Sequence, residues 1–161
     1  MNKRSTVSRT VTAAGNYSAA DIVSNSATDT EGTTWDFEQI ALGEGHPATI
    51  YKADVACSED SVVWRLRLHL FSAAVSAATE KDDNAAKAMD NDDRANYIGF
   101  IDFPAMADLG EFSFAQADQL QFGYWCGKGG HTLYGVLETL DAETNETAGM
   151  TIAITLYARA Q

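Results

Sequence analysis

The chain lacks the features that mark several common classes of protein. Its 161 residues include only two cysteines, which are too few for a disulfide scaffold. It has no run of about 18 apolar residues, as a membrane-spanning helix requires. Its N-terminus lacks the apolar core of about 7–15 residues of a signal peptide. We therefore expect a soluble protein of one globular domain, made in a cytoplasm and not associated with a membrane.

Catalytic and metal-binding motifs are missing as well. The three histidines, His46, His69 and His131, do not have the spacing of zinc ligands. There is no Gly-x-Ser-x-Gly motif, and the glycine-rich turn over residues 127–130 lacks the Walker spacing. We predict no catalytic residues, no metal and no cofactor. A cluster of polar residues with shifted pKa values in a cleft would favour an enzyme instead.

Basic residues are scarce outside the N-terminus. The net charge is −12, yet residues 1–16 contain Lys3, Arg4 and Arg9 and no acid. The acidic remainder argues against nucleic-acid binding, because phosphate is bound through Lys and Arg. A short basic segment on an acidic body suggests a tether to another protein surface. This Ser/Thr-rich segment reads as an extended arm or an edge strand, and a disordered polar terminus is the third alternative.

What the sequence does contain is strict alternation. Between Val63 and Phe71, apolar and polar residues take turns, which predicts an antiparallel strand with one buried face. The apolar set is Trp64, Leu66, Leu68 and Leu70, and the outward set is Arg65, Arg67 and His69. We interpret the outward set as surface residues that form a subunit interface.

Similar short apolar segments recur along the chain, separated by turn residues. We predict strands over residues 34–42, 48–56, 62–71, 97–103, 120–126, 131–140 and 150–158. The second and third of these look like a hairpin. The pattern predicts an all-β fold, an antiparallel β-sandwich or jelly roll over residues 17–161 that follows an extended basic arm over residues 1–16.

The tryptophans, the cysteines and one acidic stretch each allow more than one interpretation. Trp35 and Trp64 alternate into apolar faces and are expected in the core, whereas Trp125, beside a glycine-rich turn, is the better candidate for a surface contact. Cys57 and Cys126 are expected to be reduced, buried thiols, although the sequence leaves a pairing open. The acidic stretch over residues 80–93 could hold Ca²⁺, but it lacks the glycine and spacing of an EF-hand loop. A solvated loop is the expected alternative.

Parts of the chain resemble a family of small structural proteins of tailed bacteriophages. Three stretches carry the resemblance: residues 64–71, residues 83–103 with their Asp-Asn-Ala-Ala segment and Ile-Gly strand, and residues 130–137 with the closing strand 150–157. It covers about residues 48–158. After the Asp-Asn-Ala-Ala segment, Lys87 stands at the position where the resemblance predicts an aromatic residue.

The resemblance implies a virion component, a jelly-roll-like decoration or cement protein on the outer surface of the head. The implied partners are the major capsid protein and further copies of the chain as a homo-oligomer. Lys3, Arg4 and Arg9 would contact the shell, and Arg65, Arg67 and His69 would form the subunit interface. The alternative function is a tail or fibre module that binds host glycans through an aromatic platform around Trp125.

Overall fold

The computed structural model shows two antiparallel β-sheets packed face to face. It describes residues 1–12, 16–26, 32–43, 45–76, 81–126, 130–143 and 149–160. In this part of the chain, no helix is long and apolar enough to cross a membrane. The two packed antiparallel sheets confirm the predicted all-β sandwich.

The described residues form ten strands and a short 3-10 helix. The strands are β1 (Asn2–Thr10), β2 (Trp35–Phe37), β3 (Pro47–Cys57), β4 (Leu66–Phe71), β5 (Tyr97–Asp102), β6 (Ala107–Asp108), β7 (Ser113–Ala117), β8 (Phe122–Trp125), β9 (Leu133–Thr139) and β10 (Thr151–Ala160). The 3-10 helix spans Asn91–Asn96 and immediately precedes β5.

The order of the strands is that of a jelly roll. The large sheet runs β1-β10-β3-β7-β6, with β8 also on β3, and the small sheet runs β2-β9-β4-β5. Strands β7 and β8 pair with opposite halves of β3, as one interrupted strand would. When β7 and β8 are counted as one strand and the two-residue β6 is left out, the fold has eight strands. Renumbered from 1 to 8 along the chain, they have the order 1-8-3-6 in the large sheet and 2-7-4-5 in the small sheet. This is the arrangement of two interleaved Greek keys.

The core lies between the two sheets and follows the predicted alternation. Its fully buried members include Ile50, Val55, Ile152, Ile154 and Leu156 from the large sheet, and Trp35, Phe37, Leu66, Leu68, Leu70 and Leu137 from the small sheet. Trp64 lies in the same cluster, so both tryptophans expected in the core are there. Each buried side chain of this size contributes about 1.5–3 kcal/mol to stability.

The basic N-terminal segment belongs to the sandwich. Residues 2–10 form β1, which pairs antiparallel with β10 along its whole length, from Asn2 opposite Arg159 to Thr10 opposite Thr151. Val7 is buried on the inner side of this strand. Of the alternatives left by the sequence, the structure has the edge strand rather than a separate arm. The reason is that β10 offers a full row of backbone partners.

The predicted hairpin of the second and third segments is wrong. Strand β3 lies in the large sheet and β4 in the small one. The connection between them carries Val62 and Trp64, both fully buried. Burial of these two side chains places the connection across the core. The chain therefore passes from the large sheet to the small sheet and does not form a hairpin.

Two irregular segments cover the outward face of the small sheet. Residues 17–26 and 81–96 are joined to each other by backbone hydrogen bonds, such as that from the Ile22 N–H to the Ala85 carbonyl at 2.8 Å. The Tyr17 hydroxyl and the Ser24 N–H both donate to Asp83 Oδ1, at 2.7 and 2.8 Å. A second apolar cluster forms beneath them from Ile22, Phe71, Val75 and Val136.

Candidate functional site

Two residues of the outward set, Arg65 just before β4 and Arg67 on β4, are engaged in ion pairs on the small sheet. Arg65 holds Asp141 through its guanidinium, with Nη2 2.6 Å from Oδ1, and through its backbone N–H. Arg67 Nε and Nη2 donate to the two oxygens of Asp102, at 2.6 and 2.9 Å. The hydrogen bonds from Arg65 hold the pKa of Asp141 below its ordinary value. Both pairs are partly exposed, so each contributes about 0–1 kcal/mol to stability.

His69 points outward as the alternation predicts, but it is buried, with 4% of its surface exposed. The expectation of a surface histidine is therefore wrong, because residues 81–96 fold over it. Its Nε2 lies 3.0 Å from Glu138 Oε2, and its Nδ1 lies 3.0 Å from the Tyr97 hydroxyl. Since an ionised carboxylate only accepts hydrogen bonds, Nε2 is the donor, and a neutral ring then accepts from Tyr97 at Nδ1.

Glu138 is the centre of this network. It is 2% exposed, and Lys87 Nζ lies 2.6 Å from its Oε2. Arg67 Nη1 is 3.9 Å from the other oxygen. Burial opposes ionisation of the carboxyl, but the hydrogen bonds from His69 and Lys87 outweigh it and lower the pKa of Glu138. Glu138 was not predicted from the sequence, although an acidic residue in a nearly apolar strand is a sign of a buried charge.

A cavity of about 430 Å³ lies beside the network. It is lined by His69, Phe71, Lys87, Met89, Asp90, Asn91, Asp93, Arg94 and Tyr97. Polar side chains thus gather in a cleft beside a carboxyl group of lowered pKa, that of Glu138, an arrangement that would favour an enzyme. However, both ring nitrogens of His69 are bonded within the protein, so the ring presents no free base to the cavity. The network fastens residues 81–96 to the sheet.

An aromatic band lies along the free edge of the small sheet. Strand β5 ends the sheet order, and its Tyr97 and Phe100 are 40% and 46% exposed. Trp125, on β8, is 65% exposed and shares a depression of about 210 Å³ with Tyr97 and Asn96. Arg67 stacks on Phe100, with Cζ 4.1 Å from the ring centroid. The exposed position expected for Trp125 is thus confirmed, whereas Tyr97 and Phe100 were not singled out from the sequence.

The three basic residues of the N-terminal segment do not share one environment. On β1, Arg4 is exposed, and Lys3 and Arg9 are half-buried. Arg9 Nη2 donates to the Thr34 carbonyl at 2.8 Å, which joins β1 to the segment before β2. Lys3 and Arg4 are therefore better placed than Arg9 to contact another protein.

The acidic segment is more ordered than a solvated loop. Asp83 accepts the hydrogen bonds described above, and Asp93 accepts from the backbone N–H and hydroxyl of Ser76 at 3.0–3.2 Å. Both carboxylates are buried. In the described parts of the chain, no three His, Cys, Asp or Glu side chains are grouped as a metal site would need. Glu80 of this stretch, and residues 127–129 of the glycine-rich turn, lie outside the described residues.

The two cysteines are buried free thiols, as expected. Cys57 Sγ lies 3.8 Å from the Met150 sulfur. Burial raises the pKa of Cys126 to about 11. Both thiols therefore stay protonated at neutral pH and serve as core side chains.

No family model matches this chain, and no curated protein matches it. Similar solved structures include the PRD1 vertex protein P5, with 9% sequence identity and a TM-score of 0.39 over 98% of this chain and 96% of that chain. N-terminal modules of xylanase 10B from Clostridium thermocellum, complexed with xylohexaose, have 12% identity and a TM-score of 0.33, covering 98% of this chain and 26% of that one.

A chain of the virus-like particle of Macrobrachium rosenbergii extra small virus has 12% sequence identity and a TM-score of 0.28. The match covers 99% of this chain and 80% of that chain. The jelly-roll assignment given above rests on the sheet order of this chain itself.

Proposed function

We propose that this chain is a structural protein of a virus particle, and that it decorates and stabilises the outer surface of a tailed-phage head. The observation that carries the proposal is the jelly-roll order of the sheets. Viral capsid proteins use this architecture, as do lectin domains and cupins. The viral use agrees with the sequence resemblance to tailed-phage structural proteins. A protein that binds only the intact shell stabilises it by mass action.

The small sheet offers the surface for contacts between copies. Arg65, Arg67 and Phe100 lie together on its outward side, next to the free edge of β5. Arginine and aromatic residues are enriched at the centres of protein interfaces. In this proposal the buried His69 does not contact the other copy. It positions the Tyr97 side chain through the hydrogen bond with the Tyr97 hydroxyl.

Copy number on the particle tests the proposal. Purified protein is added to heads of the encoding phage made without it, and bound copies are counted by quantitative mass spectrometry. Head decoration predicts saturation at many copies per head. A handful of copies, located at the tail, would move the protein to a tail role, and no binding would overturn the virion role.

The edge strand β1 is the proposed contact with the major capsid protein. The double variant Lys3→Glu/Arg4→Glu should lower occupancy on heads about tenfold or more, because each reversal places a carboxylate where a cation met the shell. Deletion of residues 1–16 is not a usable test, since it removes β1 from the sheet. Glu111→Lys, an exposed charge reversal in the connection between β6 and β7, is the control. Equal occupancy for the double variant and wild type would refute the contact.

Glycan binding is the second candidate, and the exposure of Trp125 favours it. A sugar ring can stack on this indole while Asn96 and Ser72, which line the same depression, supply hydrogen bonds. If this function is correct, Trp125→Ala should lose binding on an array of host glycans at least tenfold, and Trp125→Phe should keep part of it. Phe112→Ala removes another exposed aromatic residue and is the control. An array without any bound glycan eliminates this candidate.

A further inference from the structure

Two irregularities of the large sheet meet at one place on its outward face. On one side, the register of β3 with β10 shifts so that Tyr51 is an extra residue between Ile50 and Lys52. On the other side, β7 ends at Ala117 and β8 begins at Phe122. Bulges re-aim side chains and often lie beside functional sites.

The gap between β7 and β8 also holds a strained backbone. Gln119 has a φ of 55°, in the left-handed region that residues other than glycine rarely occupy. Such conformations persist where the surrounding structure enforces them, and they cluster at binding sites. The bulge, the strand break and the strained residue together open a groove of about 980 Å³.

The groove is lined by amide, aromatic, basic and apolar side chains. Its walls are formed by Met1, Asn2, Thr49, Tyr51, Lys52, Gln119, Leu120, Gln121, Arg159 and Ala160, and Asp118 is its carboxylate. Asp118 accepts a hydrogen bond from Gln116. Arg159 can bind an anionic group of a ligand, and the amide side chains can hydrogen-bond to it.

Basic side chains gather on this face although the chain is acidic overall. Arg159 stacks on Tyr51 at 5.1 Å, and both Arg4 and Lys52 lie over the ring of Tyr157, at 5.7 and 4.7 Å. Lys52 is paired with Asp54 at 3.2 Å. Neither Arg4 nor Arg159 takes part in an ion pair among the described residues.

The complementary charge lies on the other side of the sandwich. The turn that starts the 3-10 helix exposes Asp90 and Asp92, and the Asp92 N–H donates to Asp90 Oδ1 at 2.8 Å. This turn belongs to the segment that covers the outward face of the small sheet, where Met89 packs on the second apolar cluster. An exposed acidic turn and a groove that carries Arg159 therefore lie on opposite layers of one molecule.

We propose that the groove beside Arg159 receives the Asp90–Asp92 turn of a second copy of this chain, so that copies associate head to tail. The inference deepens the proposed virion role and rests on it for its biological setting. A contact between two different surfaces of the same molecule is heterologous, and it closes into a ring when its rotation allows.

Sedimentation velocity of the full chain over a range of protein concentrations tests this proposal. Arg159→Glu and Asp92→Lys should each weaken self-association about tenfold or more, because each breaks a charge-assisted contact. The double variant Arg159→Glu/Asp92→Lys should restore it, since the exchanged charges again face each other across the contact. Raising the salt concentration should weaken association of the wild type.

Glu111→Lys, an exposed reversal in the connection before β7, is the matched control and should leave association unchanged. A wild type that stays monomeric throughout, or a double variant as weak as the singles, overturns the proposal. Binding of a poly-glutamate peptide or a uronate by a monomeric protein would also overturn it, because the occupant would then be a different one. Loss of self-association in Arg159→Glu, with binding of single copies to heads retained, separates this inference from the decoration role.

Discussion

Replacing Glu138 by alanine should lower the free energy of unfolding by about 3–5 kcal/mol at neutral pH. The substitution leaves Lys87 and His69 without the carboxylate that accepts their hydrogen bonds. The buried His69 ring loses its acceptor and Lys87, which is only 25% exposed, loses its carboxylate partner, and together these losses cost far more than an exposed ion pair contributes. Urea denaturation followed by fluorescence gives the value directly.

The same carboxylate predicts a pH dependence on the acid side. The pKa of Glu138 is lower in the folded protein than its ordinary value. Such a group stabilises the fold at pH values above the ordinary glutamate pKa of about 4.3, and the contribution is lost as the pH falls through the folded pKa. The difference in unfolding free energy between wild type and Glu138→Gln should therefore shrink with acidification below about pH 4.3.

A double-mutant cycle separates the charge effect from the loss of packing. Glu138→Ala and Lys87→Met should couple by about 0.5–3 kcal/mol, because the second substitution removes the cation that the first leaves unpaired. Additive effects would mean that the ion pair between Glu138 and Lys87 does not contribute to stability. Replacement of Arg65, whose pair with Asp141 is exposed, is the matched control and should cost no more than about 1 kcal/mol.

Gly135→Val should lower the free energy of unfolding by about 3 kcal/mol. A Cβ at this position in β9 would lie 2.8 Å from Leu68 Cδ1 and 3.1 Å from Trp35 Cβ. Leu68 is fully buried, and Trp35 Cβ is fixed to the backbone of β2. Relief of the clash therefore requires a movement of strands, which well-packed cores resist.

Gly123→Val is the matched control for this prediction. Gly123 also lies in a strand, but a Cβ there would have nothing within 4 Å. We expect a change within about 0.5 kcal/mol. Thermal unfolding of the two variants beside the wild type is sufficient, and equal melting temperatures for all three would refute the packing argument.

Period-2 alternation was enough to predict which side chains face the core. Leu66 and Leu68 on β4, and Ile152 and Ile154 on β10, are all fully buried, as their spacing requires. Successive side chains of a strand point to opposite faces whatever the strand pairs with, so this information is local. The all-β class follows from it.

Alternation carries no information on which sheet a strand joins. Strands β3 and β4 looked like a hairpin, yet they lie in opposite sheets because Val62 and Trp64 are drawn into the core between them. Pairing between distant segments, such as β1 with β10, depends on the whole chain. The groove beside Tyr51 likewise needs a bulge in one strand and a break in another.

By itself, the sequence determined the fold class, the inward faces of the main strands, the buried tryptophans and the exposed Trp125. The tertiary structure decided that residues 2–10 are an edge strand, that His69 is buried against Glu138, and that basic side chains meet on one face of an acidic protein. The physical reason is that burial and charge clustering depend on segments far apart in sequence. Local periodicity fixes only the direction in which each side chain points.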